Sequence, residues 1–266
     1  MRTERPVRSG GKPDFRKERP RRDLGGDLLY GRNSVAEGLR GRRTAIRLFI
    51  AEGVKEDPRV RDAVVTASRD GLQVERLPRI ELDDMTGGAN HQGIALLASS
   101  YPYVSLDEIA ERDGTILILD HLQDPQNLGA LLRAAEAAAV AGIVIARDRA
   151  AEITPSTVNA SAGAVEHLSI AQETNLARSI EILKKTGRWA IALDTGRGAV
   201  DLYSGDLPLP AILVVGSEGD GLTPIVKKAC DIVVEIPMSG KVASLNAATA
   251  GSIALFELVR RTRISG

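Results

Sequence analysis

Three stretches of this chain place polar side chains where they could grip an anion or a nucleotide-like ligand. The first is DHLQDPQNLGALLRAAE, residues 120–136. Asp124-Pro125 forces a turn, and Asn127 is a good helix cap. Arg133 follows six residues later, under two helical turns on, so the two side chains leave the helix on different bearings. Leu131, Leu132, Ala134 and Ala135 flank it. A guanidinium among apolar neighbours suits a phosphate or carboxylate, whose geometry matches its planar fork. An ordinary surface ion pair would use the same residue.

The second stretch is VVGSEGDGL, residues 214–222. Its glycines are spaced G-x-x-G-x-G, unlike the dinucleotide fingerprint, whose first two glycines are one residue apart. Gly216 lets a ligand approach the backbone where the strand ends. Glu218 sits at the loop tip, free to accept hydrogen bonds, although a plain tight turn with a solvated acid has the same composition. The third stretch, IPMSGKVASLNAATAGSIALFEL, spans residues 236–258. Ser244 and Asn246 stand at the start of a helix, where backbone N–H groups point outward. Their side chains can cap that helix or hold a polar ligand. Ala247, Ala250, Gly251, Ala254, Leu255 and Leu258 form a stripe at helical spacing. Small residues there admit a close neighbour, either a second subunit or the protein's own interior. A ligand loop this late differs from the usual nucleotide-binding chain, which places its loop after the first strand.

The elements that must position these residues follow from periodicity and punctuation. Asn33-Ser34 can cap a helix over Val35–Leu39. Strands are expected over 46–51, 72–77 and 93–98, and helices over 58–69 and 80–85. Together they make a compact α/β module of about 70 residues. Tyr101–Ser105 has the character of a linker, broken by Pro102. Beyond it, strands at 115–119, 143–146, 189–193, 212–215 and 232–236 alternate with helices at 128–140, 155–162, 176–186 and 224–229. A last helix runs to about Arg261. Such alternation argues for a mostly parallel sheet covered on both faces.

Composition narrows the function classes. The chain has 266 residues and no net charge, with 43% hydrophobic but only 3% aromatic residues, so aliphatic side chains must fill its core. The charge is uneven: residues 1–22 hold nine Lys or Arg and three acids. That tail is expected to be disordered, either as a solvated extension or as a non-specific phosphate contact. One cysteine, Cys230, and three histidines exclude a disulfide framework and make a zinc site an unlikely expectation. No run approaches the roughly 18 apolar residues that cross a bilayer. The Arg-rich start lacks an apolar signal core, and its acids argue against an organellar presequence. A cytoplasmic, metal-free protein is expected.

Taken in order, Asn127-x5-Arg133, GSEGDGL and IPMSGKVASLNAATAG resemble the three motifs of the SpoU (TrmH-like) branch of the SPOUT RNA 2′-O-methyltransferases. Asn90–Ile94 (NHQGI), Ser161–Glu166 (SAGAVE) and Thr174–Arg178 (TNLAR) also look like this branch, and the likeness covers nearly everything from Leu29 to Arg261. The resemblance implies an α/β fold: a SPOUT domain with a deep trefoil knot, at 113–266, follows a linker at 101–112. A small L30e-like substrate-binding domain at 27–100 and a disordered tail at 1–26 precede it. It implies S-adenosyl-L-methionine as cofactor, held near Thr195, Gly216, Ile236, Met238 and Leu245. It implies catalytic-site roles for Asn127, Arg133, Glu218, Ser244 and Asn246, with Arg133 holding the RNA phosphate. The implied reaction is methyl transfer to a ribose 2′-hydroxyl, on a guanosine of 23S rRNA, by a homodimer. A tRNA 2′-O-methyltransferase, a resistance enzyme acting on an rRNA adenosine, and a non-catalytic ribosome-assembly protein are the alternatives. A nicotinamide enzyme is disfavoured by the glycine spacing.

Overall fold

The computed structural model describes residues 25–196, 198–204, 207–219, 221–242 and 244–265. The expected tail at 1–26 therefore lies almost wholly outside the described residues.

The N-terminal module is a four-stranded sheet with helices. Its elements are β1 (Asp27–Tyr30), α1 (Arg32–Gly38), β2 (Ala45–Ala51), α2 (Pro58–Arg69), β3 (Gln73–Leu77), α3 (Arg79–Thr86) and β4 (Ile94–Ala98). The strand order is β1-β4-β2-β3, with β2 and β3 parallel and the β4 pairings antiparallel. Gly31 rather than Asn33 precedes α1, one turn earlier than the capping residues suggested. The NHQGI stretch is structural. His91 is buried, its ring joined to Asp83 at 2.8 Å and accepting the Gly93 amide at 3.0 Å.

The second sheet has seven strands, all parallel, in the order β7-β6-β5-β10-β8-β11-β9. After α4 (Leu106–Ala110) come β5 (Ile116–Asp120), α5 (Pro125–Ala137), β6 (Gly142–Ala146), α6 (Pro155–Ala160) and β7 (Ile170–Glu173). Then follow α7 (Leu176–Lys184), β8 (Trp189–Leu193), the short β9 (Val200–Asp201), β10 (Ala211–Gly216), α8 (Pro224–Ala229), β11 (Ile232–Glu235) and α9 (Ala247–Ser265). β5, β6 and β10 are buried at every position, as strands covered on both faces must be. The aliphatic core expected from the scarcity of aromatics is here: Leu117, Leu119, Leu131, Ile143, Leu213 and Leu255 belong to one buried cluster. Among the described residues no helix is long and apolar enough to cross a membrane.

Four elements, β1, α4, β7 and β9, lie outside the sequence expectations. β7 and β9 are too short to show a period, and α4 lies in the stretch read as linker. That helix begins on a capping box between Ser105 and Glu108, a signature of helix starts. The presumed linker is also packed down. Tyr101 is buried and donates its hydroxyl to the Leu168 carbonyl at 2.6 Å, while the Tyr103 hydroxyl accepts from the Ile153 amide at 3.1 Å.

The module meets the second sheet through the SAGAVE stretch, which follows α6 and enters a short 3₁₀ turn at Ala164–His167. The Arg43 guanidinium, fully buried, donates from Nε to Glu166 Oε1 at 2.9 Å, and Glu166 is fully buried as well. Arg43 also reaches Asp27 and the Ser99 carbonyl and lies 5.4 Å from the centre of the Tyr101 ring. Burial pushes the Glu166 carboxyl above its ordinary value, and the Arg43 charge opposes that. A carboxylate left alone there has no solvent and no partner. Arg43→Ala should therefore lower the unfolding free energy by roughly 3–5 kcal/mol, measured by denaturant titration. A loss near zero would show that the pair carries no weight.

Candidate functional site

The carboxyl ends of β8, β10 and β11, with the start of α9, enclose a cleft of about 450 Å³, within the usual range for small-ligand sites. This is where open parallel sheets place ligands, because the loops leaving the strand ends can diverge there. Leu193–Thr195 run off the end of β8, Gly216–Gly219 off the end of β10, and Glu235, Ile236 and Met238 off the end of β11. Ser244–Ala247 and Ala250 close the remaining side. All five residues expected to hold a cofactor, Thr195, Gly216, Ile236, Met238 and Leu245, line this cleft. So do Glu218, Ser244 and Asn246.

The three polar stretches meet at one side chain. Asn246 Oδ1 accepts the Thr249 amide at 3.1 Å and so caps α9. Its Nδ2 donates to Asn127 Oδ1 at 2.8 Å, and to Glu218 Oε1. One carboxamide thus caps α9 with its oxygen and joins the other two stretches with its nitrogen. Asn127 is free for this because Asp124 caps α5, accepting the Gln126 and Asn127 amides. The helix thus starts earlier than the expected Leu128, and Asn127 sits inside its first turn. Ser244 is exposed and lines the cleft.

Arg133 is the residue the structure does not bring in. It is exposed on α5, and among the described residues it has no hydrogen-bond or ion-pair partner. Six residues of helix put it about 9 Å along the axis from Asn127, and it does not line the cleft. Its apolar neighbours Leu131, Leu132 and Ala135 face the interior instead.

Gly216 has a different reason from the one its sequence context suggested. A Cβ there would stand 2.2 Å from the Gly221 carbonyl carbon and 2.5 Å from the Leu222 nitrogen. The close approach is by the protein's own loop, which folds back through paired Ser217–Gly221 backbone bonds of 3.1 Å. The small-residue stripe on α9 is likewise an internal seam. Ala254, Leu255 and Leu258 are buried, and a Cβ on Gly251 would stand 2.9 Å from Leu131 of α5. Ala247 and Ala250 line the cleft. The apolar residues that α9 exposes are Phe256 and Ile264.

Sequence reasoning missed several residues here. Lys227 of α8 donates to Asp194 Oδ2 at 2.6 Å and to the Thr195 carbonyl at 3.1 Å, holding the end of β8. With Asp194 neutralised by Lys227, Glu218 and Glu235 leave two carboxylates on the cleft wall, and no Lys or Arg is among its described lining residues. Such a lining favours a cationic ligand. Cys230 lies away from the site, and burial pushes its thiol up to about 12, which leaves it un-ionised at neutral pH.

Two family models match the chain. "SpoU rRNA Methylase family" matches residues 114–256, and "RNA 2′-O ribose methyltransferase substrate binding" matches residues 28–104. The chain is 37% identical over 241 residues to YacO of Bacillus subtilis, a protein placed by its name in the TrmH family of tRNA/rRNA methyltransferases, covering 88% of this chain and 96% of that one. It is 38% identical to an uncharacterized tRNA/rRNA methyltransferase of Synechocystis, covering 88% of this chain but only 62% of that longer protein. Among solved structures, an rRNA methyltransferase from Sinorhizobium meliloti is similar across 91% of this chain and 89% of its own, at 26% identity and a TM-score of 0.75. A second structure of an rRNA methyltransferase from that organism, with AdoMet bound, has a TM-score of 0.74 at 24% identity and covers 91% of this chain and 89% of that one. A TrmH/SpoU tRNA modifying enzyme from A. aeolicus is similar over 60% of this chain and 82% of its own, at 25% identity and a TM-score of 0.53.

Proposed function

The chain belongs to the SpoU rRNA methylase family, and from that premise we propose that it transfers a methyl group from S-adenosyl-L-methionine to a ribose 2′-hydroxyl of RNA, on a guanosine of 23S rRNA. The observation that carries this reading is the Asn246 carboxamide, which ties Asn127 and Glu218 together at the rim of the cleft.

The residues present fit the cofactor. Backbone from three loops and the aliphatic side chains of Leu193, Val215, Ile236 and Leu245 suit an adenine, and the carboxylates of Glu218 and Glu235 suit a cation. When bound, S-adenosylmethionine would supply an electrophilic methyl group on a sulfonium, whose sulfur becomes a neutral thioether as its bond to the methyl breaks. Glu218, oriented by Asn246, accepts hydrogen bonds from the nucleoside or an arginine. Asn127 fixes Asn246 from the other side, and Ser244 shapes the third loop. Arg133 presents a fork that matches an RNA phosphate. Held beside the reacting hydroxyl, that charge lowers the cost of the developing alkoxide.

Arg133 lies off the cleft of its own subunit, a placement that suits a homodimer with the RNA site shared between copies. The exposed Phe256 on α9 is compatible with such an interface. Threading of the chain end as a trefoil knot, a cytoplasmic location and an L30e-like module are carried over from the family in the same way. An rRNA rather than a tRNA target is supported by the extent of the structural likeness. The Sinorhizobium rRNA enzyme is similar over both parts of this chain, and the tRNA-modifying enzyme over 60% of it.

The test is to map 2′-O-methyl groups in total RNA from cells with and without the gene. Loss of one methyl group from a 23S guanosine is the expected result. Loss from a tRNA or from an rRNA adenosine would replace the substrate, and no loss anywhere would favour a non-catalytic assembly role.

A further inference from the structure

We propose that Asp120 and Thr223 form an anchor that positions the Glu218 loop, making both positioning residues for methyl transfer; the proposal rests on the reading of Glu218 given above. Asp120 is the last residue of β5 and is fully buried. In the sheet it stands directly opposite Gly216, the last residue of β10. Its Oδ2 accepts both the Thr223 amide, at 2.7 Å, and the Thr223 hydroxyl, at 2.8 Å. Its Oδ1 is joined to His121 Nδ1 at 2.5 Å. His121 reaches back to its neighbour from a left-handed backbone conformation, φ 58°, which is costly for a residue with a Cβ.

Thr223 occupies the cap position of α8, yet its side chain makes no capping hydrogen bond to that helix. A threonine there normally bonds the helix amides. Here the hydroxyl is turned to a neighbouring strand instead. The bond is made across 103 residues, and it fixes the exit of the loop that leaves β10 at Gly216. The turn carrying Glu218 is closed on itself by Ser217–Gly221 pairing and seated at its start on Gly216, and Thr223 holds it to the sheet two residues beyond. Between these two clamps stands Glu218, exposed, with Asn246 as its partner. A buried carboxylate accepting two hydrogen bonds from one residue resists rotation better than either bond alone. The carboxylate of Asp120 thus sets where the Glu218 carboxylate stands relative to the cleft, without touching any ligand.

The experiment compares Thr223→Val, which keeps size but loses the hydroxyl, with Thr223→Ser, which keeps it. Hydrogen–deuterium exchange of the peptide covering the Glu218 loop is measured in the free protein. Turnover is measured with 23S rRNA fragments, and S-adenosylmethionine affinity by calorimetry. Exchange about tenfold faster and kcat about tenfold lower are expected in Thr223→Val, with cofactor affinity within a few-fold and Thr223→Ser near wild type on all three. Equal exchange in the two variants overturns the anchor, as does equal kcat where the wild type is active. A fall in kcat matched by a fall in thermal midpoint, with serine no better than valine, also overturns it. A wild-type protein inactive on these fragments sinks the 23S rRNA reading instead, and the loop exchange then still tests the anchor.

Discussion

Valine at position 216 is expected to abolish S-adenosylmethionine binding, with affinity falling more than about a hundredfold, a loss of about 3 kcal/mol. The reason is not a side chain reaching into an open cleft. A Cβ on this residue would lie 2.2–2.5 Å from backbone atoms of Gly221 and Leu222, and backbone cannot swing aside as the end of a flexible side chain can. The whole returning loop must lift. That displaces one wall of the cleft and carries Glu218 away from Asn246. Calorimetric titration with the cofactor tests this, and Gly216→Ala should show a weaker form of the same loss. Wild-type affinity in the valine variant would mean that the loop is not packed on Gly216 in solution.

Arg133→Ala is expected to reduce kcat by roughly 10²–10³-fold, the usual cost of losing a group that stabilises developing charge. Cofactor affinity should stay within a few-fold, because Arg133 lines no part of the cleft. Stability should be nearly unchanged, since the side chain is exposed and has no partner among the described residues. A radiolabelled methyl-transfer assay with rRNA fragments, alongside calorimetry, separates the two effects. Near-normal turnover would remove Arg133 from the mechanism. Lysine at this position should recover little, because it lacks the fork that holds a phosphate by two bonds.

Much of the architecture was legible from local pattern. α2 at Pro58–Arg69, α8 at Pro224–Ala229 and β8 at Trp189–Leu193 have the expected limits, since proline at the helix start and turn residues at the ends are local signals. α5 begins three residues before the expected Leu128. Asn127 and Asp124 are both competent caps, and what selects Asp124 is the use of Asn127 elsewhere, by a residue 119 positions away. β7 and β9 carry only four and two residues, too few for a period to register.

The same division runs through the site. Local pattern picked out Gly216, Glu218, Ser244 and Asn246, and the resemblance to the family's motifs added Thr195, Ile236, Met238 and Leu245; all eight line one cleft. The first four sit at a strand end or helix start, where backbone punctuation marks them, whereas the other four are legible only through the likeness of whole motifs. Only the tertiary structure decided what these residues touch. It made Asn246 the junction of the three stretches and turned the α9 stripe inward against α5. It gave Thr223 to Asp120 rather than to its own helix, and left Arg133 outside the cleft. Hydrogen-bond partners and packing faces of this kind depend on contacts between residues far apart in the chain, and a one-dimensional pattern carries no term for them.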